Sequence, residues 1–251
     1  MKRGTTHIEA IVSFVLFFLF VGAGFYFFSP RTDQLADASL DYATREIIQN
    51  TTTHSEIYNL LLKKKGGNVP VCLNVDTNLK AVVLDEAGNV VPSSRVNGQS
   101  GIIHIKKQGN TNQYVRIVFS GDIIEKNHGD CNGPGACGST CNSDDDTNDD
   151  FDIISSFKGD FVSEERLKQL KAKYDVPATY TQLVEQFNLP DRVDFGFSIA
   201  LSDIDSDGTA DDIVAGKTVP EGVQIYVGKK RVEVLRSDGT RAFSDLVTSV
   251  W

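Results

Sequence analysis

The sequence predicts an α+β chain in which one long N-terminal transmembrane and stalk helix is followed by a β-rich extracytoplasmic head containing two short helices. Three observations predict it. Residues 10–28 carry no charge, and about 19 residues at 1.5 Å rise come close to crossing a hydrocarbon core of about 30 Å. Lys2 and Arg3 precede that run while Arg31, Asp33 and Asp37 follow it, which places the N-terminus in the cytoplasm and the remainder outside. Beyond residue 69 the pattern changes to short β-branched runs separated by turn residues.

The elements follow in order. Pro30 interrupts the first helix, and a second segment over 32–49 carries Leu35, Ala36, Leu40, Ala43 and Ile47 on one face. From 69 to 124 the runs Val71-Cys72-Leu73-Asn74-Val75, Ala81-Val82-Val83-Leu84, Ile102-Ile103-His104-Ile105 and Tyr114-Val115-Arg116-Ile117-Val118-Phe119 read as an antiparallel meander, with Ala87-Gly88-Asn89 as one of its turns. Residues 128–152 are rich in Cys, Gly, Asn and Asp, cannot pack a core, and read as an exposed loop. Ser163 caps a helix with Glu164 and Glu165 in its first turn and Leu167, Leu170 and Tyr174 on a face, and Pro177 ends it. Tyr180, Leu183, Val184 and Phe187 mark a second short helix closed by Pro190. Strands return over 222–227, 231–235 and 245–251, with Ser237-Asp238-Gly239 as a turn. The divisions are therefore 1–4, 5–50, 51–128, 129–152 and 153–251: leader, hydrophobic helix and stalk, first part of the head, Cys/Asp-rich loop, and second part of the head.

At 251 residues and 40% hydrophobic, the chain is long enough for one sizeable core or two small ones. A net charge of −9 argues against broad nucleic-acid binding, which needs clustered Lys and Arg. The histidines, His7, His54, His104 and His128, fall in no nucleophile, metalloprotease, phosphate-loop or dinucleotide motif, so no enzyme is predicted.

Glu9 is the anomaly, a carboxylate at the edge of an apolar run, where an ionised acid is costly without a partner. MKRG followed by TTHIEAIVSFVLFF resembles the type IV prepilin signal, called the class III signal in archaea: a short basic leader, Gly before the cut, Glu at the fifth mature position, then an apolar helix. The resemblance covers about the first 45 residues and is closest to archaeal pilin-like proteins. It implies cleavage between Gly4 and Thr5 by a prepilin peptidase and Glu9 as the assembly carboxylate meeting the free amine of a neighbouring copy. It also implies a structural subunit, major or minor, of a cell-surface filament, held in the membrane before assembly and extracellular in its head. The alternative is a monomeric, signal-anchored surface binding protein.

Other features bear on the head. Asp203-Ile204-Asp205-Ser206-Asp207-Gly208-Thr209-Ala210-Asp211-Asp212 alternates carboxylates around a tight turn, a pattern suited to Ca²⁺. The expected ligands are Asp203, Asp205, Asp207, the carbonyl of Thr209, and Asp211. Val214 stands at the twelfth position, so the bidentate Glu of an EF-hand is missing. With the flanking Phe195-Gly196-Phe197 the segment is similar to a single FG-GAP repeat, and one unit does not make a propeller. Cys72, Cys131, Cys137 and Cys141 are disulfide candidates of undetermined pairing; the spacing beside His128 is not that of a zinc ribbon. Asn50-Thr51-Thr52 makes Asn50 a glycosylation candidate.

Overall fold

The computed structural model describes residues 5–28, 32–63, 71–74, 79–91, 93–95, 102–105, 111–123, 151–190, 193–201 and 212–251; for 5–10, 24–28, 32–35, 71–74, 94, 95, 102 and 104 it describes the backbone. The chain begins with helices α1 (Thr5–Phe28) and α2 (Thr32–Thr51). α2 runs without a loop into strand β1 (Thr52–Leu62). The junction is sealed by side chains. Asn50 Nδ2 donates to Glu46 O at 2.8 Å, Thr51 Oγ1 to Ile47 O at 2.7 Å, and Thr52 Oγ1 to Ile48 O at 2.6 Å. These are carbonyls of the last helical turn, which a helix end otherwise leaves short of partners.

The remaining elements are β2 (Val71–Asn74), β3 (Lys80–Asp85), β4 (Ser93–Arg95), β5 (Ile102–Ile105), β6 (Gln113–Ser120), β7 (Phe151–Ser163), α3 (Glu164–Asp175), α4 (Pro177–Gln186), β8 (Phe195–Ile199), β9 (Ile213–Ala215), β10 (Tyr226–Leu235) and β11 (Arg241–Val250). Eight strands form one mixed sheet in the order β3-β6-β1-β7-β10-β11-β8-β9, and β2-β5-β4 form a separate three-stranded sheet. The pairings within the large sheet are antiparallel except one. Val162 and Ser163 of β7 lie parallel to Val234 and Leu235 of β10, and this short contact joins the two halves of the sheet.

Three clusters fill the interior. Leu60, Leu62, Ala81, Val83, Val115, Ile117 and Phe119 of the large sheet pack with Ile103 and Ile105 of the small one. On the opposite face, Ile57, Val82, Leu84, Val118, Ile123, Phe161 and Leu235 form a second cluster. β3 therefore buries both faces, which explains why its sequence is an unbroken apolar run rather than an alternation. Gly239, at φ +84° in the β10–β11 turn, lies against this cluster; a Cβ there would sit 2.5 Å from Val82 Cγ1. The third cluster joins Ala43 and Ile47 of α2, Leu167, Leu170 and Tyr174 of α3, and Tyr180 and Leu183 of α4 to Phe195, Phe197, Val232, Val234, Leu246 and Val250.

Several expectations are corrected here. Among the described residues, no helix is long and apolar enough to cross a membrane. The expected fold, a long transmembrane and stalk helix bearing a β-rich head with two short helices, is replaced among the described residues by four helices with an eight-stranded and a three-stranded sheet. The expected single meander is divided as well: β3 and β6 join the large sheet, and β2, β4 and β5 the small one.

Candidate assembly surface

Both Thr5 and Glu9 lie on α1. Gly4 lies outside the described residues. From 11 to 20 every side chain is exposed, with Ile11 at 64%, Phe14 at 64%, Phe17 at 62% and Phe20 at 81%. Exposure of that kind around the whole circumference gives the helix no polar side to turn toward water. The local order is aromatic: Phe14 and Phe18 are tilted with centroids 4.6 Å apart, and Phe17 meets Phe18 edge-on at 5.9 Å. A contiguous exposed apolar surface of this extent is unusual on a monomeric protein.

In the head, Asn50 sits at the last turn of α2. Its Oδ1 accepts from Gln186 Nε2 at 2.8 Å while its Nδ2 is bonded to Glu46 O, so all three side chains of the sequon close the end of α2. The Asp-rich loop is the connection between β8 and β9, which pair through Phe197 with Ala215, Ser198 with Val214 and Ile199 with Ile213. Leu201 N–H donates to Asp212 Oδ1 at 3.1 Å and closes the base of that hairpin. Asp203, Asp205, Asp207, Thr209 and Asp211 lie outside the described residues.

Two expectations tied to these features are not carried by the described residues. No group of three or more His, Cys, Asp or Glu side chains among them is placed to hold a metal ion, the acidic set being confined to 202–211. No disulfide is present among them either: Cys131, Cys137 and Cys141 lie outside, and Cys72 is described as a backbone position in β2, opposite His104.

Two polar clusters were not legible beforehand. Glu164, in the first turn of α3, is buried with a side chain 3% exposed, beside Arg236 at 2%. Its carboxylate accepts from Lys168 Nζ at 2.7 Å and from Ser237 N–H at 3.0 Å, and Arg236 Nε lies 3.6 Å away. Burial pushes the carboxyl up, but Lys168, the Ser237 amide and Arg236 together hold it below its ordinary value of 4.5. The cluster ties the start of α3 to the β10–β11 turn next to the parallel contact. Ser163 completes it by accepting from Arg166 N–H at 3.2 Å, the predicted cap.

The second cluster surrounds Tyr180. Lys217 Nζ lies 3.1 Å from the centroid of its ring and 3.7 Å from Asp194 Oδ1, and the Tyr180 hydroxyl donates to the same oxygen. Burial, followed by the Asp194 carboxylate, raises the Tyr180 phenol. Burial likewise raises Tyr174, whose hydroxyl donates to Phe195 O. Both phenols are neutral scaffold groups, stacked edge-on at 4.9 Å. The sequence signal was available in part, since both tyrosines lie on predicted apolar faces, whereas Asp194 and Lys217 carried none.

No family model, no curated protein and no solved structure matches this chain.

Proposed function

We propose that the chain is a structural subunit of a type IV pilus-like filament in which α1 packs against α1 of neighbouring copies. The observation that supports this is the exposure of every side chain from 11 to 20, a stretch of α1 that is apolar apart from Ser13. Other copies of the same helix provide the matching surface. The leader Met1 to Gly4, with its two basic residues, and Glu9 at the fifth position after it add the sequence likeness to prepilins. In this reading a peptidase cuts after Gly4, Thr5 presents a new amine, and Glu9 of an adjacent copy pairs with it, so that two charges otherwise costly in an apolar bundle satisfy one another.

N-terminal sequencing of the native protein tests the first step, with Thr5 as the expected start. Gly4→Phe should accumulate as the uncut form. Glu9→Ala should be cut normally yet fail to enter sheared surface filaments; normal incorporation of this variant ends the charge-pairing account, and a native start at Met1 ends the filament reading.

Calcium is proposed for the Asp203 to Asp211 loop on the basis of its oxygen-ligand pattern and its closed hairpin base at Leu201 and Asp212. When bound it would tie the oxygen ligands of the loop together. Calorimetry with Ca²⁺ should show heat for the parent and none for Asp205→Ala combined with Asp207→Ala; equal heats remove the ion from this loop.

A further inference from the structure

An open groove of about 360 Å³ lies where α2, α3 and α4 meet, within the size range of small-molecule sites. Leu170 of α3 and Leu183 of α4, both buried, line its apolar part. Arg166, Gln169 and Lys173 stand three and four residues apart on one face of α3, Gln186 faces them from α4, and Asn50 closes the end.

The polar groups are held in place from behind. Asp122 Oδ2 lies 2.7 Å from Arg166 Nε, and Arg166 Nη1 donates to Thr52 O at 2.6 Å, which fixes the guanidinium from two sides. Among the described residues its Nη2 and the Lys173 ammonium have no partner. The amides are oriented too: Gln186 Nε2 donates to Asn50 Oδ1, and Gln169 Nε2 donates to Glu165 Oε1 at 3.2 Å.

We infer that this groove binds a carboxylate carried on a hydroxyl-bearing ring, the chemistry of a uronic acid. Among the lining side chains the cations Arg166 and Lys173 outnumber the one carboxylate, Asp122, which is itself paired with Arg166; in a chain whose overall charge is −9, that leaves the Lys173 ammonium to favour an anionic group. The two glutamine amides each offer a donor and an acceptor, the complement of a hydroxyl group, whereas a bare anion would use donors alone. The leucines suit the C–H face of a ring. The groove lies wholly outside α1, so this inference does not rest on the filament reading.

The test is calorimetry on the full chain in detergent, with glucuronate, glucose, acetate and inorganic phosphate as probes. Glucuronate should bind saturably, and glucose and acetate at least about tenfold more weakly, or about 1.4 kcal/mol. Lys173→Met should weaken glucuronate about fivefold or more while leaving thermal unfolding unchanged, and Gln186→Leu should weaken it as much with only the small loss of stability expected of one exposed hydrogen bond. Using two variants keeps the test valid should one misfold. The inference is overturned by absence of saturable glucuronate binding, by glucose, acetate or phosphate binding as tightly, or by both folded variants binding like the parent. A glycan on Asn50, read by peptide mass, also overturns it, because that sugar would occupy the groove.

Discussion

α1 and α2 follow one another in the chain and are of similar length, 24 and 20 residues, yet they solve opposite problems. α2 is two-sided: Ala43 and Ile47 are fully buried in the cluster shared with β10, β11 and α3, while Asp37, Asp41 and Arg45 face water. α1 has no such division, and its side chains from 11 to 20 are exposed without exception. The lesson is that apolar content alone does not say where a helix will be buried. A stripe at helical spacing identifies a helix that its own head satisfies, whereas exposed apolar side chains all round belong to a stretch that the head does not cover.

The sharpest way to break this comparison is to damage each helix and read head stability. Ile47→Ala should cost about 2–5 kcal/mol in denaturant unfolding, because it opens a cavity in the largest cluster. Next in size is the platform on which α2 rests. Glu164→Gln leaves Arg236 buried with its opposing charge removed and should cost about 3 kcal/mol at neutral pH. The pH dependence has a definite sign. Since the folded state holds the Glu164 carboxyl below 4.5, its contribution is complete above that value and is lost as pH falls through the folded value. The stability gap between parent and variant should therefore close in acid, and a gap independent of pH would show that the charge is not what matters. Thr51→Val removes one buried hydrogen bond at the end of α2 and should cost about 1 kcal/mol. Phe17→Ala on α1 should change head stability by less than about 0.5 kcal/mol, the usual range for an exposed position, while reducing incorporation into the proposed filament. A large loss of head stability in this last variant would erase the distinction between the two helices.

How far the sequence could be read follows the same division between local and distant causes. The Ser163 cap, the buried face of Leu167, Leu170 and Tyr174, and the turn at Ser237-Asp238-Gly239 are local effects, and each occurs where its residues predict. β1 has no clear signature in the sequence because it buries Thr53 and Ser55 as well as leucines. Ser55 Oγ donates to Phe119 O, so small polar groups stand where an apolar alternation was sought. β7 has no inside-outside pattern in the sequence, because its exposed stretch includes Ile153, Ile154 and Phe157. Its register against β1 also shifts between Asn59 and Leu60. The division of strands between two sheets depends on partners far away in the chain, as does the pairing of Glu164 with Arg236. Glu164 was legible as a first-turn acid and not as half of a buried pair. Thr5, expected at the leader cut, and Glu9, expected in assembly, both lie on α1. Asn50 acquired a role at the end of α2 that its triplet did not announce.

The loopless passage from α2 into β1 has a mechanical consequence. β1 is an interior strand, bonded to β6 from Ser55 to Leu62 and to β7 along its whole length. With the last turn of α2 closed by Asn50, Thr51 and Thr52, there is no slack to take up a pull directed along that helix. The load enters the middle of the sheet in shear, shared at once among both ladders, instead of peeling an edge strand one bond at a time.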